Sequence, residues 1–250
     1  MKICIDAGHN YLGYDTGATG NGLTEQVITF EIANILKNYL HSIGIQTVMT
    51  RPMLETNVGT SLDSSLNNRA KIANDANCDL FVSIHCNSSP SASAWGTETI
   101  ICARGGEAEN LANAIQFNIV NELGTSDRGV RVDKEYLGCK LAVLNKTNMP
   151  AVLVETAFIS NAKDAMLLKD KTMEFALAMF WGICDYLEIP TATKTNSSIP
   201  KELETVNDIV WELNHRGIIT NPTLWLSKLE SDKNAYWLAR KCVHYIRINE

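Results

Sequence analysis

The chain has 250 residues, a formal net charge of −6 and 45% hydrophobic residues, values that suit a globular protein with one large and one small domain. No stretch approaches the roughly 20 apolar residues that a membrane-spanning helix requires, so we expect no membrane insertion. The acidic balance and the lack of a lysine or arginine cluster argue against nucleic acid as the main partner.

The first residues and the cysteines indicate the cellular compartment in which the protein is made. Asp6 interrupts the apolar run after Lys2, and neither a long apolar stretch nor a small-residue cleavage site follows. We therefore expect a protein that is made in the cytoplasm without a signal peptide. The 7 cysteines include no CxxC pair, which does not favour a disulfide framework or a cysteine-rich zinc site.

Predicted strands and helices alternate along residues 1–189. A short buried strand at 3–5 is followed by a helix over 24–41, with Thr24 as its N-cap and Gly44 just after its end. The later elements are a strand at 45–49, a helix at 65–76, strands at 79–84 and 96–102, a helix at 106–123, a strand at 151–155 and a helix at 171–187. This alternation predicts an α/β domain with a mainly parallel sheet and helices on both faces.

The remaining residues predict a linker and a second, smaller unit. Residues 190–200 are polar and bracketed by prolines, which is typical of a linker. Residues 201–250 predict a small all-helical module, with helices over 201–217, from Pro222 onward, and over 233–247. A domain of about 50 residues commits most of its aromatic side chains to packing, so we interpret Trp211, Trp225 and Trp237 as core residues.

Three predicted strands end in side chains that can bind a metal or move a proton. His9 follows the first strand, His85 follows the strand at 79–84, and Glu155 ends the strand at 151–155. Glu25 falls in the first turn of the helix after His9, where the helix dipole also stabilises a carboxylate. Sites in parallel sheets gather at the carboxyl ends of strands, so we expect these residues to meet there.

Two histidines and one carboxylate form a known catalytic zinc set that leaves a fourth position for water. Bound zinc lowers the pKa of that water to about 7, and a further carboxylate can pass its proton to a leaving nitrogen. His9, Glu25 and His85 are therefore candidate ligands, and Glu155 is the candidate acid/base. Taken singly, each also suits an ordinary capping, first-turn or strand-end role.

The other histidines and Cys86 have a simpler interpretation. His41, His215 and His244 have no carboxylate at ligand spacing, and we interpret them as structural or solvated. Cys86 adjoins His85, but the chain lacks the His-x-Glu and Pro-Cys-x-x-Cys segments of zinc deaminases, so we interpret it as a packing residue.

Four segments closely resemble the zinc-dependent N-acetylmuramoyl-L-alanine amidases of the amidase 3 family, and they occur in the family's order. They are 5–9 (Ile-Asp-Ala-Gly-His), 15–20 (Asp-Thr-Gly-Ala-Thr-Gly) followed by Glu25, 83–87 (Ser-Ile-His-Cys-Asn) and 154–161 (Val-Glu-Thr-Ala-Phe-Ile-Ser-Asn). Together they span most of the predicted α/β domain.

The resemblance implies that zinc binds His9, Glu25 and His85 and that Glu155 is catalytic. It implies hydrolysis of the amide between N-acetylmuramic acid and L-alanine in bacterial peptidoglycan. It also implies that Asn87 and Arg69 support the ligands or contact substrate, with Arg69 resembling a family arginine of structural role.

The biological setting and the role of the second unit stay open. A compact amidase with a short module and no signal peptide resembles a phage endolysin, which would act on the host cell wall after release; a bacterial autolysin or spore-related amidase is the alternative. The module at 201–250 would either attach to the wall or form a homodimer. The rival functions are another zinc peptidoglycan peptidase or carboxypeptidase, and a non-catalytic wall-binding protein of the same fold.

Overall fold

The computed structural model describes residues 1–189 and, beyond them, 209–210, 213–214, 217–219, 221–231 and 239. The predicted linker at 190–200 and the residues Trp211, His215, Trp237 and His244 lie outside the described residues. Within the described part of the chain, no helix combines the length and apolar character needed to cross a membrane.

Eight strands and eight helices are described. The strands are β1 Lys2–Ala7, β2 Thr19–Gly20, β3 Leu23–Thr24, β4 Gln46–Met49, β5 Leu80–Asn87, β6 Thr97–Ile101, β7 Asp127–Val132 and β8 Ala151–Phe158. The helices are α1 Glu25–Ser42, α2 Leu62–Asp75, α3 Glu107–Leu123, α4 Asp133–Leu137, α5 Ala142–Asn145, α6 Ala162–Asp170, α7 Thr172–Tyr186 and α8 Pro222–Ser231.

The main sheet has six strands in the order β4-β1-β5-β8-β6-β7. Strands β4, β1, β5 and β8 are parallel, whereas β6 runs antiparallel to β8 and carries β7 parallel to itself. Helices α1, α3 and α7 bury one apolar cluster against the sheet, and α2 and α5 bury a smaller one. The predicted mainly parallel sheet, covered on both faces, is confirmed.

Side chains alternate between the two faces along each central strand, and this alternation positions the site. In β5, Val82 and Ile84 pack into the larger cluster, whereas Phe81 packs into the smaller one. Ser83 and His85 therefore point to the same face as Phe81, because successive side chains of a strand point to opposite faces. The face of the sheet that α2 covers therefore changes from apolar to polar towards the carboxyl end of β5.

The structure adds β2, β3, β7, α4, α5 and α6 to the predicted elements, and the start of α1 differs from the sequence expectation. Thr24 lies at the N-cap of α1, but its side chain makes no capping hydrogen bond. The backbone N–H of Glu25 instead donates to Ala18 O at 2.9 Å, so a tertiary contact sets the helix start. Strand β7 is not predicted, because its sequence, Asp-Arg-Gly-Val-Arg-Val, places charges and a glycine where a strand pattern needs apolar side chains.

The residues described beyond 200 contact α1 and join the larger apolar cluster. Asn38 of α1 donates to Ile218 O at 3.0 Å, and Ile209, Leu213 and Leu229 are buried within the larger apolar cluster. Helix α8 begins at Pro222, as predicted, and Trp225 is partly buried against the same cluster. The Asn38 contact lies near the C-terminal end of α1, whereas Glu25 lies at its start.

Candidate metal centre and active site

His9 lies just beyond β1 in a conformation that few residues other than glycine adopt, with φ of 70°. The preceding Gly8 anchors the turn, because its N–H donates to Ile84 O at 3.0 Å. A Cβ at Gly8 would lie 2.6 Å from Cε1 of His85, closer than nonbonded atoms approach. The absence of a side chain at residue 8 therefore lets the two histidine rings approach each other.

Glu25 reaches the same point from the start of α1. Its Oε2 accepts a hydrogen bond from Ala18 N at 2.8 Å. A Cβ at Gly17 would lie 2.6 Å from that oxygen and 2.8 Å from Cδ2 of His9. The loop before α1 thus needs glycine where its backbone passes the carboxylate and the imidazole.

The three predicted ligands converge on one carboxylate oxygen. Oε1 of Glu25 lies 3.0 Å from Nε2 of His9 and 3.0 Å from Nδ1 of His85. The two rings meet edge to face, with centroids 4.7 Å apart. One ligand atom from each residue lies within 4.8 Å of the others, as a shared metal ion requires. His9 has the most exposed of the three side chains, at 20%.

The protonation pattern suits a cation at this position. Burial lowers the pKa of His9, but hydrogen bonds with Asp15 and Glu25 outweigh it and raise the pKa to about 9. Burial raises the pKa of Glu25, but hydrogen bonds with His85 and His9 outweigh it and lower the pKa. Protons shared between imidazole nitrogens and a carboxylate occupy the positions that a divalent metal takes when the ligands deprotonate. The donor set therefore fits zinc.

Asp15 orients the His9 ring by contacting Nδ1, whereas Glu25 contacts Nε2. Oδ1 of Asp15 lies 3.0 Å from Nδ1 of His9, and its Oδ2 accepts from Ser65 Oγ at 2.6 Å. A carboxylate on the second nitrogen is the usual partner of a metal-binding histidine. No sequence pattern predicts this role for Asp15; its position at the start of the segment 15–20, six residues after the first histidine, is the available signal.

Arg69 lies behind His85 and is buried. Its Nε and Nη2 donate to the two carboxylate oxygens of Asp6 at 2.8 and 2.5 Å. Its Nη2 also lies 3.1 Å from Nε2 of His85. Thr50 and Ser83 add hydrogen bonds to Asp6. Arg69 therefore supports the site from within the fold, and Asp6, whose role no sequence pattern predicts, holds it there.

Glu155 lies beside the three ligands, as the sequence predicts. It is the register partner of His85 on the adjacent strand. Its Oε2 is buried and has no hydrogen-bond partner among the described residues. Burial raises the pKa of Glu155 well above its usual value, the charges of Glu25 and Glu98 raise it further, and His9 opposes them. A carboxyl with a raised pKa beside three possible metal ligands is a candidate for proton transfer.

Asn87 faces a neighbouring carboxylate. Its Nδ2 donates to Oε1 of Glu98 at 2.6 Å, and its Oδ1 accepts from Ser88 N. Glu98 also pairs with Arg128 at 2.9 Å and accepts from Tyr136 OH at 3.2 Å. The sequence does not predict Glu98, Arg128 and Tyr136 as site residues, because Glu98 falls within a buried strand and Arg128 within the unpredicted β7.

The side chains of Cys86 and His41 are not part of the ligand cluster. Cys86 is buried, its Sγ lies 3.7 Å from Thr156 Oγ1, and burial raises the pKa of its thiol well above the usual value. This agrees with a packing role. His41 bonds to Thr47 Oγ1 at the surface, as expected for a structural or solvated histidine.

An α/β sheet with a His-Glu-His cluster and a protonatable carboxyl at the carboxyl ends of its strands has the form of a metal-dependent hydrolase. Residues 3–185 match a family described as N-acetylmuramoyl-L-alanine amidase. The chain belongs to this family, and it is an amidase of bacterial peptidoglycan. The resemblance found in its four segments is confirmed.

Individual relatives agree with this assignment. The chain is 38% identical over 169 residues to the N-acetylmuramoyl-L-alanine amidase LytC of Bacillus subtilis, an alignment that covers 67% of this chain and 31% of LytC. It is 31% identical over 207 residues to the endolysin of Bacillus phage SPP1, covering 80% of this chain and 70% of the endolysin. The chain thus spans only about a third of the length of LytC.

Solved structures of amidases superpose on the same part of the chain. An N-acetylmuramoyl-L-alanine amidase from Clostridium difficile 630 matches with a TM-score of 0.66 at 28% identity, covering 75% of this chain and 97% of that one. The catalytic domain of CwlV from Bacillus (Paenibacillus) polymyxa matches with a TM-score of 0.65 at 30% identity, covering 76% and 99%.

Proposed function

We propose that this chain hydrolyses the amide between N-acetylmuramic acid and L-alanine with a zinc ion held by His9, Glu25 and His85. The observation that carries this proposal is the convergence of three ligand atoms within 4.8 Å beside Oε2 of Glu155, which has no hydrogen-bond partner among the described residues. When bound, zinc supplies Lewis-acid polarisation of the substrate and activation of water.

The protein side chains have separate roles in this proposal. Glu155 accepts a proton from the attacking water and delivers it to the leaving nitrogen, because an amine leaves readily only after protonation. Asp15 holds the His9 ring at Nδ1, and Arg69 supports the ring of His85. Asn87 acts through Glu98 at the rim of the site.

Metal analysis tests the ligand set. We expect about one zinc per folded chain, which chelation removes together with activity and which added zinc restores. His85→Ala should lose the zinc and the thermal stabilisation that zinc confers by mass action. His41→Ala, which alters an exposed histidine bonded to Thr47, is the matched control and should keep both. Full activity of metal-stripped protein would refute the zinc proposal.

Product analysis separates the proposed bond from its rivals. An amidase releases whole stem peptides and creates new L-alanine amino termini in digested walls. A peptidase or carboxypeptidase would shorten the stem peptides without creating these termini. A wall-binding protein without activity would bind the same walls and release nothing.

We propose that the protein acts on the cell wall after its release from the cytoplasm, as an endolysin. The support is the similarity to the SPP1 endolysin over 70% of that relative's length. A sporulation-specific N-acetylmuramoyl-L-alanine amidase of Bacillus subtilis is 32% identical and favours the autolysin alternative. Residues 201–250 would attach the enzyme to the wall, with homodimer formation as the alternative.

A further inference from the structure

One buried carboxylate next to Glu155 holds an arginine and a tyrosine at the surface. The side chain of Glu98 is only 2% exposed, yet it receives hydrogen bonds from Asn87, Arg128 and Tyr136. The Arg128 side chain is 28% exposed and Tyr136 is 40% exposed. Glu98 therefore anchors two solvent-facing groups in defined positions at the rim of the site.

Arg128 retains donors for a ligand. Its Nε donates to Glu98, and its Nη2 donates to Tyr136 OH at 3.0 Å. Within the described residues, its Nη1 has no hydrogen-bond partner. The guanidinium also lies 4.8 Å from the ring centroid of Phe158, which restrains its plane. A planar guanidinium with free N–H groups is well shaped to bind a carboxylate.

The strand order relates Arg128 to the reacting bond. Glu98 of β6 is the register partner of Glu155 of β8, and β7, which carries Arg128, is the next strand outward. Neighbouring strands lie about 4.8 Å apart, so β7 is roughly 10 Å from β8. An extended peptide advances about 3.3 Å per residue, so about three residues span the distance to β7, and two suffice to reach the Arg128 guanidinium, which bonds to Glu98 on the intervening β6.

The chemistry of the substrate determines which part of it lies between Glu155 and Arg128. In the proposed reaction Glu155 protonates the leaving nitrogen, which belongs to the L-alanine of the stem peptide. The stem therefore begins beside Glu155. The lactyl carboxyl of the muramic acid is consumed in the scissile amide, so the free carboxylates nearest this bond lie on the stem.

We propose that Arg128, positioned by Glu98 and Tyr136, binds the free α-carboxylate of the second stem residue and so sets the stem-peptide preference of the enzyme. This inference rests on the proposed amidase reaction and on the role of Glu155. It orients the substrate along the sheet, with the stem lying over β6 and β7 and the glycan on the other side of the metal centre.

Paired soluble substrates test this proposal. They are muramyl tripeptides that differ only in a free carboxylate or a carboxamide on the second residue. The wild-type enzyme should have the lower KM for the carboxylate form. Arg128→Met should raise that KM roughly 10- to 100-fold, with little change in kcat or in the KM for the carboxamide, because a charge-assisted hydrogen bond is lost.

Arg104→Met is the matched control. Arg104 also pairs with a glutamate, Glu109 at 2.7 Å, but it lies beyond the opposite end of β6. This variant should behave as wild type with both substrates. Calorimetry with the free stem tripeptide and its carboxamide supplies a readout without turnover, and the carboxylate preference should disappear in Arg128→Met. If that variant does not fold, Arg128→Lys, which keeps the charge but not the planar fork, should weaken the preference.

Three results would overturn the inference. They are equal KM values of the wild type for the two substrates, an equal increase for both in Arg128→Met, and a loss confined to kcat. Failure of the zinc-loaded wild type to cleave either substrate, with the stem tripeptide still bound in a carboxylate-dependent way, would instead refute the proposed reaction and leave the binding site in place.

Discussion

At the residue scale, the assignment of proton transfer to Glu155 makes a direct prediction. Glu155→Gln removes the titratable group and keeps the shape of the side chain, so the variant should fold and retain zinc. Its kcat should fall roughly 10²- to 10⁴-fold, the usual effect of losing a general acid/base. Elemental analysis and steady-state kinetics on a soluble muramyl-peptide measure the two effects. Loss of zinc with nearly full activity per bound metal would show that Glu155 is a ligand instead.

Asp15 leads to a separate prediction about metal affinity. Asp15→Asn weakens the contact at Nδ1 of His9 and should lower zinc affinity roughly 10- to 100-fold, as changes behind a ligating histidine commonly do. Competition with a chromogenic chelator measures this affinity. Asp75→Asn is the control, because Asp75 is exposed and pairs with Lys71 on α2, and it should leave the affinity unchanged. Equal zinc affinity in both variants would contradict the orienting role of Asp15.

At the scale of the elements, the loop that carries Glu25 into the site depends on a glycine. In Gly17→Ala the new methyl group would overlap Oε2 of Glu25 and Cδ2 of His9, so the carboxylate must shift. We expect zinc affinity to fall roughly tenfold or more while the apo-protein stays folded. Titration with zinc and thermal melts of the apo-protein measure the two quantities.

Gly106→Ala provides the comparison for this loop. A Cβ at Gly106 meets no atom within 4 Å, and its φ of −141° is accessible to alanine. This variant should bind zinc as tightly as the wild type. If Gly17→Ala also binds zinc as tightly as the wild type, the close approach of the loop to Glu25 does not affect zinc binding.

At the scale of the whole molecule, the separability of the two predicted units can be tested. All of the proposed catalytic residues precede 189, and the contact between Asn38 and Ile218 lies about 20 Å along α1 from Glu25, at 1.5 Å of rise per residue. A chain ending at Ile189 should therefore bind zinc and cleave a small soluble muramyl-peptide. It should melt at a lower temperature, because Ile209, Leu213 and Leu229 no longer cover apolar surface.

The same truncation distinguishes the two roles proposed for residues 201–250. If they attach to the wall, activity on whole walls should fall much more than activity on the soluble substrate, since tethering raises the local substrate concentration. If they form a homodimer, the solution mass should fall to less than half and the isolated segment should not pellet with walls. A folded but inactive truncated chain would show that residues beyond 189 complete the active site.

The sequence by itself determined the alternation of strands and helices, and with it the layered α/β architecture. Hydrophobic periodicity and helix-stop signals are local, so they survive without tertiary information. The apolar strands that run into His9, His85 and Glu155 also predicted that these side chains would meet, because parallel strands end at a common edge. The four family-like segments then narrowed the chemistry to amide hydrolysis.

Tertiary structure decided what depends on contacts between distant segments. The antiparallel direction of β6 and the existence of β7 follow from pairing with β8 and β6, and β7 has no apolar pattern of its own. The contacts of Asp15 with His9 and of Glu98 with Arg128 and Tyr136 join different elements. A sequence shows which polar side chains are present, but burial and distance determine which of them act together.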